Sequence, residues 1–322
     1  MVEIGYKLNT EEHNAPALVR NAGLAEKAGF DFVSLTDHYH PWNRTEGESP
    51  FAWTVLGGIA AVTDRVKVST GVTCPTVRYH PAIIAQAAAT AASLMEGRFE
   101  LGVGSGENLN EHILGDRWPP ATVRIDMMRE AIDVIRTLWK GEVTDYYGTY
   151  YLVENARLFS LPETLPPIIV SGMGPIAAKV AAESGDQLVH VVSDPAMAMT
   201  VMAAFEAAGG MGKPRMGEIS FCYHEDEAKA KEIAFRWWPI AAYPGEINWL
   251  LPSWSHYEQL MQLVTPEKVA EKIVCGPDLE RFVAKVKEVA AMGFDRVVIH
   301  QAGPEQEKFL DFARDELLPA IR

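Results

Sequence analysis

Two stretches of this 322-residue chain carry side chains of types that move protons. The first reads Asp37-His38-Tyr39-His40-Pro41-Trp42, the second Gly104-Ser105-Gly106-Glu107-Asn108-Leu109-Asn110. An imidazole ionises at about pH 6.5, so it can take or release a proton at neutral pH. A carboxylate facing it can orient the ring or stabilise its positive charge during turnover. His38 and Glu107 make such a pair. His40 is equivalent by composition, and spacing alone does not choose between the two histidines. Asp37 suits either the site or a turn, where its side chain would bond to nearby backbone.

Other chemistries fit less well. Asp37, His38 and His40 are dense enough to suggest a metal, but adjacent residues at a strand end point in opposite directions. No HExxH pattern supports one, so no metal site is expected. Gly104-Ser105-Gly106 lacks the outer spacing of a G-x-S-x-G elbow, which argues against a serine nucleophile. Cys74, Cys222 and Cys275 are scattered and odd in number. They read as buried small hydrophobes in a reducing cytoplasm. One anion-binding turn is plausible, at Ser171-Gly172-Met173-Gly174-Pro175, which opens a predicted helix. Glycines there let backbone N–H groups approach an anion, and the helix N-terminus favours negative charge.

The elements that carry these residues repeat as strand then helix. Strands are predicted over Glu3–Leu8, Phe30–Leu35, Val66–Thr70, Phe99–Gly104, Ile168–Ser171, Gln187–Val192, Glu218–Tyr223 and Arg296–His300. Amphipathic spacing predicts helices between them, such as Ala15–Lys27, Pro81–Ser93 and Val123–Leu138. About eight such units predict a closed (β/α)8 barrel. An open doubly wound sheet is the alternative, but no GxGxxG turn follows the first strand. In a barrel the site lies at the C-terminal strand ends, where both proton-moving stretches fall. Two segments exceed the repeat and read as insertions at βα loops, about 144–167 and 237–274. The first holds an aromatic hairpin around Gly148; the second holds four of the eight tryptophans. One domain spanning 1–322 is expected.

Lys and Arg number 29 against 43 Asp and Glu, a formal charge of −14. Such a chain is repelled by phosphate fields, so neither nucleic acid nor an anionic membrane is an expected partner. No apolar run is long enough to span a bilayer. The start, MVEIGYKLNTEEH, reads as a strand rather than a leader, which suggests a cytoplasmic protein.

DHYHPW (37–42), RYHPAIIAQAAAT (78–90), GVGSGENLNE (102–111) and VRIDMMREAIDVIRTLW (123–139) together resemble the luciferase-like barrel superfamily. Within it they resemble the branch that uses the deazaflavin coenzyme F420, in particular its glucose-6-phosphate dehydrogenase group. The resemblance covers nearly the whole chain. It implies a hydride-transferring oxidoreductase acting on a small-molecule alcohol, sugar-type or carbonyl substrate, and the expected assembly is a homodimer. It implies that His38 is the base, that Glu107 faces it across the reacting centre, and that Trp42 lies beside the substrate. Asp37 would lie against the deazaflavin ring, and the Gly71–Val72 bond would be a non-proline cis peptide behind it. Cys74, Gly106 and Asn110 join the expected cofactor contacts, with Ser171, Gly172 and Gly174 holding its phosphate.

The chain departs from this group where a sugar phosphate would bind. Asp194 stands where a lysine is expected, and no Lys or Arg lies between Arg236 and Lys268. Lys272 is the one matching basic candidate. A phosphate dianion beside Asp194 would be repelled by about a kcal/mol or more. An unphosphorylated, more apolar substrate is expected instead. Trp249 and Trp254 would either line an apolar mouth or pack the insertion onto the barrel. Two other readings stay open: an FMN-dependent monooxygenase of the same superfamily, and a non-catalytic flavin-binding barrel.

Overall fold

The computed structural model describes residues 2–322. Eight parallel strands close into a barrel: β1 Glu3–Leu8, β2 Phe32–Leu35, β3 Lys67–Thr70, β4 Phe99–Val103, β5 Ile168–Ser171, β6 Gln187–Val191, β7 Arg215–Tyr223 and β8 Arg296–Gln301. Each pairs with the next, and β8 returns to β1 with Glu3 opposite Arg296. This is the TIM-barrel architecture that the strand–helix repeat implies.

Alternation along the strands sorts the side chains. On β1, Ile4, Tyr6 and Leu8 face the surrounding helices in the main apolar core. Inside, Phe32, Ile169, Val189, Met216 and Val298 pack together. A Cβ at Gly5 would lie 2.1 Å from the Phe32 ring, so only glycine leaves room for that ring at the barrel centre. Charged groups fill the rest of the interior in pairs: Lys7 with Glu218, and Arg296 with Glu100. Burial of a charge requires such pairing. Helix starts are set locally, as where Asn14 accepts from the Ala17 N–H before the helix Ala15–Ala28.

The two long segments differ in kind. The hairpin Thr144–Tyr147 with Leu152–Ala156 lies between the helix Ala121–Leu138 and β5, in an αβ connection. Its tip nonetheless climbs to the other end of the barrel, where Tyr151 donates its hydroxyl to the Thr76 carbonyl at 2.9 Å. Glu130 holds that tip through the backbone N–H groups of Thr149, Tyr150 and Tyr151. The late segment lies between β7 and β8. It ends in a three-residue strand, Val274–Gly276, that extends the pairing of β7. Among the described residues no helix is long and apolar enough to cross a membrane.

Candidate active site

The end of β2 leads directly into the first proton-moving stretch. Thr10, just past β1, bonds to Thr36, and Ser49 donates to the His38 carbonyl at 2.8 Å. These contacts fix the loop where His38 leaves the barrel. The loop after β4 is fixed against it by Asn110, whose Oδ1 accepts from the N–H groups of Tyr39 and His40 at 2.9 and 3.1 Å. That acceptance sets the amide's orientation, so its Nδ2 faces Glu107 Oε2 at 3.1 Å and His38 Nδ1 at 3.2 Å.

His38 therefore sits in a defined cage. Its Nε2 lies 3.5 Å from Glu107 Oε2 and 3.9 Å from Glu11 Oε1. Its Nδ1 also lies 3.4 Å from the His40 carbonyl. The Trp42 ring stands edge-on to it at 5.1 Å. Asn110 Nδ2, oriented by the bonds its Oδ1 accepts, offers Nδ1 a donor at 3.2 Å, which places the proton of the neutral ring on Nε2, towards the two carboxylates. His40 is turned elsewhere: its Nδ1 faces the Leu109 carbonyl at 3.0 Å, and its ring stacks on His112.

The two carboxylates differ in environment. Burial pushes Glu107 above its usual range; positive charge on His38 pulls it back, and Glu11 adds to the push. Burial pushes Glu11 up as well, but His38 and the Thr36 hydroxyl outweigh it and hold Glu11 below its usual range. Glu11 was not apparent among the sequence candidates. It follows β1 just as His38 follows β2, so the strand-end rule applied to the first strand finds it.

Asp37 is engaged from three sides. It accepts from the Thr73 hydroxyl at 2.8 Å, from Arg78 Nη2 at 3.1 Å and from the Tyr79 hydroxyl at 3.2 Å. Arg78 also pairs with Glu111, whose carboxyl burial pushes up to about 7 against the pull of that guanidinium. The loops after β2, β3 and β4 are thereby tied together beneath the site. The Gly71–Val72 bond is cis. Val72 packs against Gly104, where a Cβ would come within 2.7 Å of its side chain. Cys74 is buried, with Sγ 2.9 Å from the Thr76 hydroxyl, and lies against Gly106, which adopts a left-handed φ of 81°.

The second half of the barrel contributes the Ser171–Pro175 turn. The Gly172 N–H goes to Val189, and its carbonyl lies 2.9 Å from His190 Nδ1, so this residue is satisfied inward. A Cβ on Gly174 would meet nothing within 4 Å, so the approach to the helix Pro175–Ser184 is open. The first-turn N–H groups of that helix have no intrahelical partner.

The substrate candidates divide. Trp42 is 3% exposed, packed between His38 and Tyr257, with its indole N–H unpartnered among the described residues. Trp254 packs the late segment onto the β2 loop, with Arg44 over its ring at 4.6 Å. Trp249 is half-buried outside that cluster. Asp194 caps the helix Pro195–Phe205 by accepting from Ala196. Lys272 Nζ lies 3.5 Å from the carbonyl of Ser193, the residue before Asp194.

A family model described as luciferase-like monooxygenase matches residues 1–296. Over its full length the chain is 35% identical to an F420-dependent glucose-6-phosphate dehydrogenase of Tsukamurella paurometabola, covering 98% of that protein. A protein of the same name from Beutenbergia cavernae is also 35% identical, with the same coverage. A solved F420-dependent secondary alcohol dehydrogenase, in complex with an F420–acetone adduct, superposes with a TM-score of 0.92 at 31% identity. That match covers 100% of this chain and 99% of the other. An F420-dependent tetrahydromethanopterin reductase from Methanopyrus kandleri shares the fold, with a TM-score of 0.79 at 21% identity. With motif, fold and full-length similarity in agreement, the chain belongs to the luciferase-like family and is a relative of the F420-dependent glucose-6-phosphate dehydrogenases.

Proposed function

We propose that this chain is an F420-dependent oxidoreductase that interconverts an unphosphorylated alcohol and its carbonyl compound, with His38 as general base. The observation that carries the reading is the cage around His38: a ring with Nε2 between Glu107 and Glu11. The names of the relatives at 35% and 31% identity support the cofactor.

The residues fit such a group. Asp37 is charge-balanced by Arg78, the Trp42 indole N–H is a buried donor awaiting a partner, and the Gly174 approach is open to an anion. Asp37, Gly71, Val72, Cys74, Gly106 and Asn110 would hold the ring side, and Ser171 and Gly174 the phosphate, Gly172 being bonded inward to Val189 and His190. When bound, F420 supplies the hydride acceptor or donor at its ring carbon C5. This chain's own work is proton traffic and placement. His38, held by Asn110, takes the hydroxyl proton. Glu107 and Glu11 then stabilise the imidazolium, and Trp42 walls the reacting centre from water.

The substrate reading rests on Asp194 and Trp249. Asp194 offers an anion no attraction, and the one basic candidate, Lys272, meets the Ser193 carbonyl instead. Trp249 would contribute to an apolar mouth. The same reading carries one domain over 1–322 and a cytoplasmic homodimer, which sedimentation and fractionation measure.

A substrate screen tests it. Purified protein is mixed with F420 or its reduced form and with secondary alcohols, ketones and glucose 6-phosphate, following the deazaflavin absorbance. Turnover of the uncharged compounds is expected. Stabilisation by FMN alone, with oxygen consumption, would replace this reading with the monooxygenase one.

A further inference from the structure

We propose that Glu46 is a positioning residue for the reaction at His38: its carboxyl grips the backbone of Trp42 and so sets the indole against the His38 ring. The proposal rests on the function above only for its turnover readout. Glu46 is 3% exposed and belongs to no helix or strand. Its Oε2 accepts from the Trp42 N–H at 2.6 Å and from the Asn43 N–H at 3.4 Å. Asn43 returns the bond, its Oδ1 accepting from the N–H groups of Thr45 at 2.8 Å and Glu46 at 3.3 Å. The turn is therefore closed in both directions by side chains, where regular structure is absent to close it.

Its product is the placement of one ring. Trp42 meets His38 at 5.1 Å and 61°, and meets Tyr257 at 5.1 Å and 76°. Tyr257 pins the far side through its own hydroxyl bonds to the Asn248 and Leu251 carbonyls. Without Glu46 the Trp42 N–H is left buried and unpaired, and the turn can relieve that only by moving. Movement of about 1 Å at a positioning group can cost up to ~100-fold in rate.

The surroundings choose the form of the acid. Glu11 and Glu12 approach from the loop after β1, and Tyr243 from the late segment. Glu12 is itself paired with His300, and Glu48 of the same turn donates its N–H to the Glu11 carbonyl at 3.1 Å. Burial first, then Glu12 and Glu11, push Glu46 well above the usual carboxyl range; the Trp42 and Asn43 N–H groups only partly offset this. A neutral carboxyl still accepts both N–H bonds, so glutamine is its isostere.

The experiment compares Glu46→Gln, Glu46→Ala, Trp42→Phe and the double variant Trp42→Phe/Glu46→Ala. Glu46→Gln should keep kcat within about threefold, and Glu46→Ala should lower it by about tenfold or more with F420 affinity little changed. In the Trp42→Phe background, Glu46→Ala should add almost nothing, because its effect passes through that ring. Additive losses overturn the proposal. A second readout needs no turnover: the Trp42 indole N–H resonance, assigned by its disappearance in Trp42→Phe. It should be unmoved in Glu46→Gln and displaced in Glu46→Ala, or in Glu46→Asp if the alanine variant does not fold. An unmoved resonance in those variants overturns the proposal. Wild type inactive with F420, with the resonance displaced in Glu46→Ala, rejects the function while leaving the placement of Trp42 by Glu46.

Discussion

The Nε2 atom of His38 and the Oε2 atom of Glu107 lie 3.5 Å apart, brought together from loops that follow different strands of the barrel. Asn110 makes the arrangement specific, because its Nδ2 lies within hydrogen-bond reach of both residues. A base needs a lone pair aimed at the reacting atom and an environment that accepts the resulting charge. The two carboxylates at Nε2 provide the second.

His38→Ala removes the proton acceptor but leaves the Asp37 network and the Gly172–Gly174 turn intact. Turnover should fall by the roughly 10²–10⁴ typical of a lost general base, with F420 affinity nearly unchanged. Fluorescence titration and steady-state assays measure the two separately. Full activity in this variant would transfer the role to another group.

Glu107→Gln keeps the shape and removes the charge. A protonated His38 then loses its nearer counter-charge, so the acid limb of the kcat/KM profile should move to lower pH. The sign follows because an opposite charge favours the protonated imidazole, and its removal lets the ring release its proton more readily. A profile superimposable on wild type would remove Glu107 from the proton chemistry.

The barrel was legible because period-two strands and period-3.6 helices alternate along the chain, and strand ends then located His38 and Glu107. Three things were hidden. The strand Val274–Gly276 is too short to show a period. The hairpin reads from sequence only as an insertion, and its place in an αβ connection with its tip at Thr76 comes from Glu130, a helix residue with no local signal. Glu46 and Arg78 act through backbone and ion-pair contacts that depend on which loops meet. No spacing along the chain encodes that.

His190 makes the acid stability of the fold testable. Burial lowers its proton affinity, only partly offset by the Gly172 carbonyl and Glu218. Below about pH 6.5 the unfolded chain binds a proton there that the folded chain refuses. Stability contributed by this site is thus present at higher pH and lost as pH falls through that value, at no more than about 1.4 kcal/mol per pH unit. His190→Gln keeps a donor for the Gly172 carbonyl and cannot titrate. Urea midpoints for the two proteins should agree near pH 8 and diverge towards pH 5, with wild type the less stable. Parallel curves would show that His190 takes its proton in the fold as readily as outside it.

Asp194 tests what excludes a sugar phosphate. The side chain caps the helix Pro195–Phe205, and Lys272 lies against the adjoining Ser193 carbonyl. Asp194→Lys alters two things: the local charge by two units, and the cap, whose loss costs about 1 kcal/mol. Asp194→Ser separates them, because serine caps the helix without a charge. If charge is the barrier, glucose 6-phosphate activity should rise in the order wild type, serine, lysine, while activity on uncharged secondary alcohols stays level in the serine variant. Raised salt should shrink the differences, since exposed charges are screened within about 10 Å at 0.1 M. Wild type that already oxidises glucose 6-phosphate with a low KM would mean that the phosphate is held elsewhere and that the unphosphorylated-substrate reading fails. A gain confined to the lysine variant would assign the missing clamp to this one position.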